Sequence, residues 1–160
     1  MPRNQGGCLC GALRYAVTGE PLRVTFCHCR FCQRGSGAAY VVEPIFNRSE
    51  LVVTSGRPRT YLHRSEGSGK LLTVNFCDRC GTKLFLEFER FPEICGLYAG
   101  TFDDPNWFRR TPDNARHIFL DFAQHGTIIP AGVPTYRQHA IRNDGTPAEA
   151  EVFDRPQTIG

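Results

Sequence analysis

Seven of the eight cysteines in this 160-residue chain fall in three tight groups: Cys8-Leu9-Cys10, Cys27-His28-Cys29-Arg30-Phe31-Cys32, and Cys77-Asp78-Arg79-Cys80 followed by Gly81. Thiolates spaced two or three residues apart can converge on one ion, and zinc takes four such ligands in a tetrahedron with Zn–S near about 2.3 Å. Cys77 and Cys80 need a second pair to complete a site, and Cys8 and Cys10 supply it. That set is closed and structural. Cys27, Cys29 and Cys32 remain as a group of three, and three protein ligands with one position left for water or substrate is the pattern of a working zinc. The sequence therefore predicts two zinc ions per chain. The competing reading closes the second site with His28, His63 or His117; His28, wedged between two ligands, points away from the ion its neighbours would bind.

Three thiolates around Zn²⁺ bring the centre to a net charge of −1, which works against ionising a bound water. An incoming thiol is better served, because coordination holds it as thiolate when a free thiol with a pKa near about 8.5 is mostly protonated. The site thus suits sulfur nucleophiles over hydrolysis. A zinc nucleobase deaminase would require His-x-Glu ahead of its cysteine pair, and no His-x-Glu occurs here. A Cys-x-x-Cys alone would also suit a zinc-ribbon nucleic-acid module, but no nucleic-acid partner is expected: only Lys70 and Lys83 are lysines among the nineteen Lys and Arg, the net charge is +3, and there is no basic stripe.

The opening MPRNQGGCLC has no apolar stretch behind its arginine, and no window approaches the roughly 18 apolar residues of a membrane span. A cytoplasmic protein without membrane attachment is expected, with its thiols reduced. Disulfides are disfavoured for the same reason, and a Cys-x-Cys bridge would be strained. Cys95, outside the clusters, reads as a small buried hydrophobe. Arg30 and Arg34 flank the three-cysteine group and are candidates for a substrate carboxylate, against the alternative of solvated surface charge. Gly35-Ser36-Gly37 reads equally as an approach for ligand or as a turn. Asp103 and Asp104 form a possible proton-transfer pair, with helix capping at Asp104 the stronger alternative.

Short apolar runs rich in β-branched and aromatic residues, broken by Gly, Pro and Asp, must position these groups. They predict a mostly β fold with strands at Ala12–Val17, Arg23–Phe26, Ala39–Val42, Leu51–Thr54, Thr60–His63, Leu71–Asn75, Leu84–Phe88, Ile94–Tyr98 and His117–Phe122. Helix is sparse: one turn at Cys29–Arg34, and a start at Asp104 with Pro105 in the first helical position. A single two-zinc β domain is expected over residues 1–134, with a polar C-terminal extension over 135–160.

The motifs Gly7-Cys8-Leu9-Cys10-Gly11, Cys27-His28-Cys29-x-x-Cys32, Phe76-Cys77-x-x-Cys80-Gly81-Thr82, Tyr98-Ala99-Gly100-Thr101-Phe102-Asp103-Asp104-Pro105 and His117-Ile118-Phe119 together resemble the glutathione-dependent formaldehyde-activating enzyme family, which also includes the centromere protein V group. The resemblance spans Gly6 to Phe122. It implies a small zinc-bound β fold related to those of methionine sulfoxide reductase B and a Rab-binding chaperone. It also implies structural zinc at Cys8, Cys10, Cys77 and Cys80, and active-site zinc at Cys27, Cys29 and Cys32. The implied activity is that of a carbon–sulfur lyase joining glutathione to formaldehyde as S-(hydroxymethyl)glutathione. The alternative class is a non-catalytic, zinc-stabilised binding module, which a fourth protein ligand at the second zinc would favour.

Overall fold

A computed structural model describes residues 3–160. In chain order its elements are β1 (Arg3–Gly7), β2 (Arg14–Thr18), β3 (Arg23–Cys27), α1 (Arg30–Ser36), β4 (Val41–Asn47), β5 (Leu51–Ser55), β6 (Arg59–Arg64), β7 (Leu71–Phe76), β8 (Lys83–Phe88), β9 (Ile94–Leu97), β10 (Ala115–Ile118), β11 (Ile128–Ile129) and β12 (Gln157–Thr158), with short 3-10 turns between some of them. The chain is mostly β, as its apolar patterning requires. Among the described residues no helix is long and apolar enough to cross a membrane. The elements group into two compact units: the chain up to Leu22 with Pro44–Phe108, and Arg23–Glu43 with Arg109–Gly160.

The first unit contains the sheet β1-β2-β5 and a run in which the second half of β4 is followed by β9, β8, β7 and β6. These pairs are antiparallel, and β7 and β8 are in register through Val74↔Leu86. Val74 and Leu86 are both buried, and Leu84, Phe85 and Leu86 are buried in succession, so this part of β8 is covered on both faces. Tyr15 is fully buried; its ring meets Phe102 edge-on at 5.5 Å and its hydroxyl lies 2.8 Å from Thr101 Oγ1. That tyrosine also explains β1, which the apolar pattern does not announce: a Cβ at Gly6 would come 2.4 Å from Tyr15 Oη. The polar RNQGG segment pairs closely there because glycine leaves room.

The second unit is ordered β10-β3-β4, with β10 parallel to β3 in the register Ala115↔Val24, Arg116↔Thr25, His117↔Phe26 and Ile118↔Cys27. The strand expected over His117–Phe122 ends at Ile118, because Phe119 takes a left-handed conformation (φ 60°) and leads into a 3-10 turn at Leu120–Phe122. Beyond Pro134 the chain is hydrogen-bonded throughout much of its length. Thr135 bridges both His117 and Glu151, β12 pairs with β11, and Thr135 and Ala140 are buried. Isolated buried residues anchor this segment, without the periodic apolar stripe that a sequence reading detects.

The helix expected from Asp104 is absent. Asp104 Oδ1 instead accepts the Asn106 backbone N–H at 2.9 Å, and Asp104 O accepts from Trp107 at 3.4 Å, which closes a turn. The carboxylate competes successfully for the backbone donors, as Asp commonly does outside helices.

Candidate metal centres

The first cluster is built by two hairpin-like turns of one design. After β1, Cys8 O accepts the Gly11 N–H at 3.0 Å, and the Leu13 N–H donates to Cys8 Sγ at 3.2 Å. After β7, Cys77 O accepts the Gly81 N–H at 2.8 Å. Gly11 and Gly81 adopt φ of 76° and 75°, a region that a Cβ makes costly, so each turn carries glycine directly past its ligand pair. A hydrogen bond from the Leu9 N–H to Thr82 Oγ1 at 3.1 Å ties the turns together. Cys8, Cys10, Cys77 and Cys80 offer sulfurs that all lie within 4.8 Å of one another, with Cys8–Cys10 at 3.6 Å and Cys10–Cys77 at 3.8 Å. Tetrahedral zinc with bonds near 2.3 Å requires sulfur separations of about 3.8 Å. The four residues fit that ion.

The second cluster sits where β3 ends and α1 begins. Cys29 caps the helix, its sulfur accepting the Cys32 N–H at 3.4 Å. Cys27 and Cys29 sulfurs are 3.4 Å apart, and Cys27, Cys29 and Cys32 again lie within 4.8 Å of one another. Hydrogen bonds from Cys27 and Cys32 hold the Cys29 thiol far below its usual range, whereas Cys27 is raised by its bond to Cys29 and Cys32 by its bonds to Cys27 and Cys29, each with help from burial. One thiolate held between two protonated thiols is a cluster that a cation can bind by displacing the remaining protons. Among the described residues no histidine or carboxylate completes this group as a fourth ligand. All eight cysteines are free thiols, and Cys95 is fully buried with its thiol pushed up to about 12 by burial.

Among the described residues, none of the histidines considered for the fourth position belongs to the cluster. His28 and His117 form a buried pair, Nε2 to Nδ1 at 2.9 Å, with His117 stacked on Phe26 and His28 tilted against Tyr40. His63 lies on β6 in the first unit. Burial, the largest cause, pulls both paired imidazoles to about 4 from 6.5, with His28 adding to the shift at His117. The unfolded chain therefore binds protons between pH 6.5 and 4 that the fold refuses. Stability contributed by the neutral rings is complete above that window and is lost as pH falls through it. His117→Gln should reduce the total fall in urea-unfolding free energy across that window by up to ~3 kcal/mol; an equal fall in wild type and variant would contradict this.

Arg30 is exposed and donates to Gln33 Oε1 at 2.6 Å, one turn along α1, while Arg34 is exposed in the last turn. Gly35-Ser36-Gly37 is a helix stop: the Gly37 N–H bonds Gln33 O at 2.8 Å and Ser36 Oγ donates to Cys32 O at 2.7 Å. Asp103 is committed to a two-toothed ion pair with Arg14, which holds its carboxyl below the usual range. The site also contains residues the motifs do not reveal. Glu43 on β4 is buried with Oε1 3.5 Å from Cys32 Sγ, and burial followed by the Cys29 charge raises it to about 8. Its signal was an acid within the apolar run VVEPIF, where an unpaired charge is rare. Gln33, also buried, donates to His28 O and Phe122 O at 2.6 and 2.7 Å and fixes α1 against both.

A small β protein with one four-cysteine and one three-cysteine cluster is thus defined. The sequence profile of the glutathione-dependent formaldehyde-activating enzyme matches residues 3–121, and the chain belongs to that family. It is 27% identical over 122 residues to a putative glutathione-dependent formaldehyde-activating enzyme of Halomonas elongata, covering 73% of this chain and 74% of the relative. An uncharacterized lyase of Schizosaccharomyces pombe is 26% identical over 93 residues, covering 55% of this chain and 60% of the yeast protein. A crystal structure of a Rhodobacter sphaeroides protein shares the fold, with a TM-score of 0.50 at 24% identity over 62% of this chain and 87% of that one.

The two clusters imply a stoichiometry. Elemental analysis of chelator-washed protein should return two zinc ions per chain, since seven converging thiolates are too many for one tetrahedral site; a single zinc, or tightly held iron, would contradict the assignment.

Proposed function

We propose that this chain is a zinc-dependent carbon–sulfur lyase-type enzyme of the cytoplasm that joins glutathione to formaldehyde as S-(hydroxymethyl)glutathione. The observation that carries the reading is the contrast between the clusters: four converging sulfurs in one, three in the other. Cys8, Cys10, Cys77 and Cys80 hold the structural ion, and Cys27, Cys29 and Cys32 the ion of the active site. Family membership and the names of the Halomonas and yeast relatives support a glutathione–formaldehyde chemistry of lyase type.

When bound, the second zinc supplies a Lewis-acid position at which a thiol is held as thiolate at neutral pH. The chain's own contribution is placement. β3 delivers Cys27, the cap of α1 delivers Cys29, and the first turn of the helix delivers Cys32, all braced by Gln33. Such pre-positioning lowers the entropy cost of bringing sulfur and aldehyde together. In the reaction the glutathione sulfur forms a bond to the formaldehyde carbon, the carbonyl π pair moves to oxygen, and the thiol proton ends on that oxygen by way of solvent. Nothing is oxidised or reduced. The reverse reaction releases aldehyde through the same contacts, so concentrations set the direction.

Calorimetric titration of zinc-loaded protein with glutathione tests the reading. Millimolar or tighter binding that disappears in Cys29→Ser is expected. No binding to either, or equal binding to both, would favour a zinc-stabilised binding module without catalysis.

A further inference from the structure

We propose that Arg116, with Arg23 beside it, forms a carboxylate subsite for the thiol substrate, on the face of the β3–β10 pair that leads to Cys27. This rests on the glutathione reading and names what would orient that thiol.

The placement follows from register. β10 runs parallel to β3 with Arg116 opposite Thr25 and Ile118 opposite Cys27. Side chains alternate between faces along a strand, so Arg23, Thr25 and Cys27 share one face with Arg116. Phe26 and His117, stacked at 4.6 Å, occupy the other. Thr25 is two residues from Cys27, about 7 Å along the strand. In a cysteine-containing tripeptide the neighbouring carboxylates lie within one or two residues of the sulfur, at a comparable reach.

The polar groups at this point are arranged for a ligand the chain does not supply. Thr25 is 3% exposed and its Oγ1 has no hydrogen-bond partner; the buried Nε of Arg116 has none either. No Asp or Glu among the described residues forms an ion pair with Arg116. The charges that act on it are Arg23, of like sign, and Tyr136, and burial followed by Arg23 lowers its guanidinium to about 10. Drawing one guanidinium out of water next to another costs free energy unless an anion offsets it. Arginine presents a planar fork that matches a carboxylate with two parallel hydrogen bonds. By contrast Arg30, suggested by sequence proximity to the cysteines, is spent on Gln33.

The test is calorimetric titration of zinc-loaded full-length wild type, Arg116→Gln and Arg116→Lys. Glutathione, its glycyl ethyl ester, and cysteinylglycine, which lacks the γ-glutamyl carboxylate, are the probes. Arg116→Gln should weaken glutathione binding at least about tenfold, and Arg116→Lys less, as expected for one charge-assisted contact. Whichever probe lacks the recognised carboxylate should bind wild type correspondingly weakly and lose nothing further in Arg116→Gln; this identifies which end of glutathione is held. A folded Arg116→Gln that binds glutathione as wild type does overturns the subsite and leaves the thiol reading standing. So does wild-type protein that binds all three probes alike, a comparison that needs no variant. Wild type that takes up none of the probes sinks the thiol reading, and the subsite falls with it.

Discussion

Cys77→Ser is expected to leave the chain largely unfolded or insoluble, whereas Cys29→Ser should melt within a few degrees of wild type. Cys77 is 1% exposed and joins the turn after β7 to the turn after β1, two segments far apart in sequence that are also linked here by Leu9 to Thr82 and by Cys80 to Cys10. Apparent binding free energies of structural zinc in small domains run on the order of 10–16 kcal/mol, against a total stability of about 5–15 kcal/mol for a typical domain. Removing one of four ligands from such a clamp therefore removes a large share of the margin. Cys29 belongs to a cluster whose three residues lie within one short segment, on a strand end and a helix cap. Its backbone is held independently by the Cys29 O to Gln33 N–H bond at 3.0 Å and by Gln33 itself. Circular dichroism melts of zinc-loaded protein check the contrast; similar melts for both variants, both near wild type, would contradict the division into structural and working sites.

Cys29→Ser should nevertheless slow adduct formation by a factor on the order of 10³. A thiol with a pKa near 8.5 is only about 3% ionised at pH 7, so holding it as thiolate is worth about thirtyfold. Fixing the sulfur where aldehyde approaches adds at least a further factor of tens. Both contributions depend on the three-sulfur constellation, which the serine oxygen completes poorly. Initial rates under single-turnover conditions check this, and a rate within tenfold of wild type would show that the cluster does not carry the chemistry.

The cysteine groups were legible in the sequence because convergence of thiolates two and three residues apart is a local property, and the joining of Cys8 and Cys10 to Cys77 and Cys80 followed from the need for four ligands at one ion. Most strands were legible for a similar reason: Leu71–Phe76 and Lys83–Phe88 carry their own apolar signal. β1 was not, since its five residues RNQGG pair through backbone against Tyr15 and bring no apolar periodicity. The strand at His117 overran because Phe119 and the residues beyond it are apolar, and apolar content alone does not reveal a left-handed backbone. Around the second cluster, sequence proximity pointed to Arg30 and Arg34. Among the buried polar residues nearby are Glu43, Thr25 and His117; Thr25 precedes Cys27 on β3 without any motif to announce it, while Glu43 and His117 come from other strands, His117 across 89 residues of sequence from His28.

Exchange spectroscopy with ¹³C-labelled formaldehyde and glutathione decides whether the chain carries this chemistry, by comparing the interconversion of free aldehyde and S-(hydroxymethyl)glutathione with and without the zinc-loaded protein. The proposed activity requires faster exchange in proportion to protein concentration, at an unchanged equilibrium position, with the acceleration lost in Cys29→Ser. Exchange no faster than without protein, although two zinc ions are bound and the fold is intact, would contradict it.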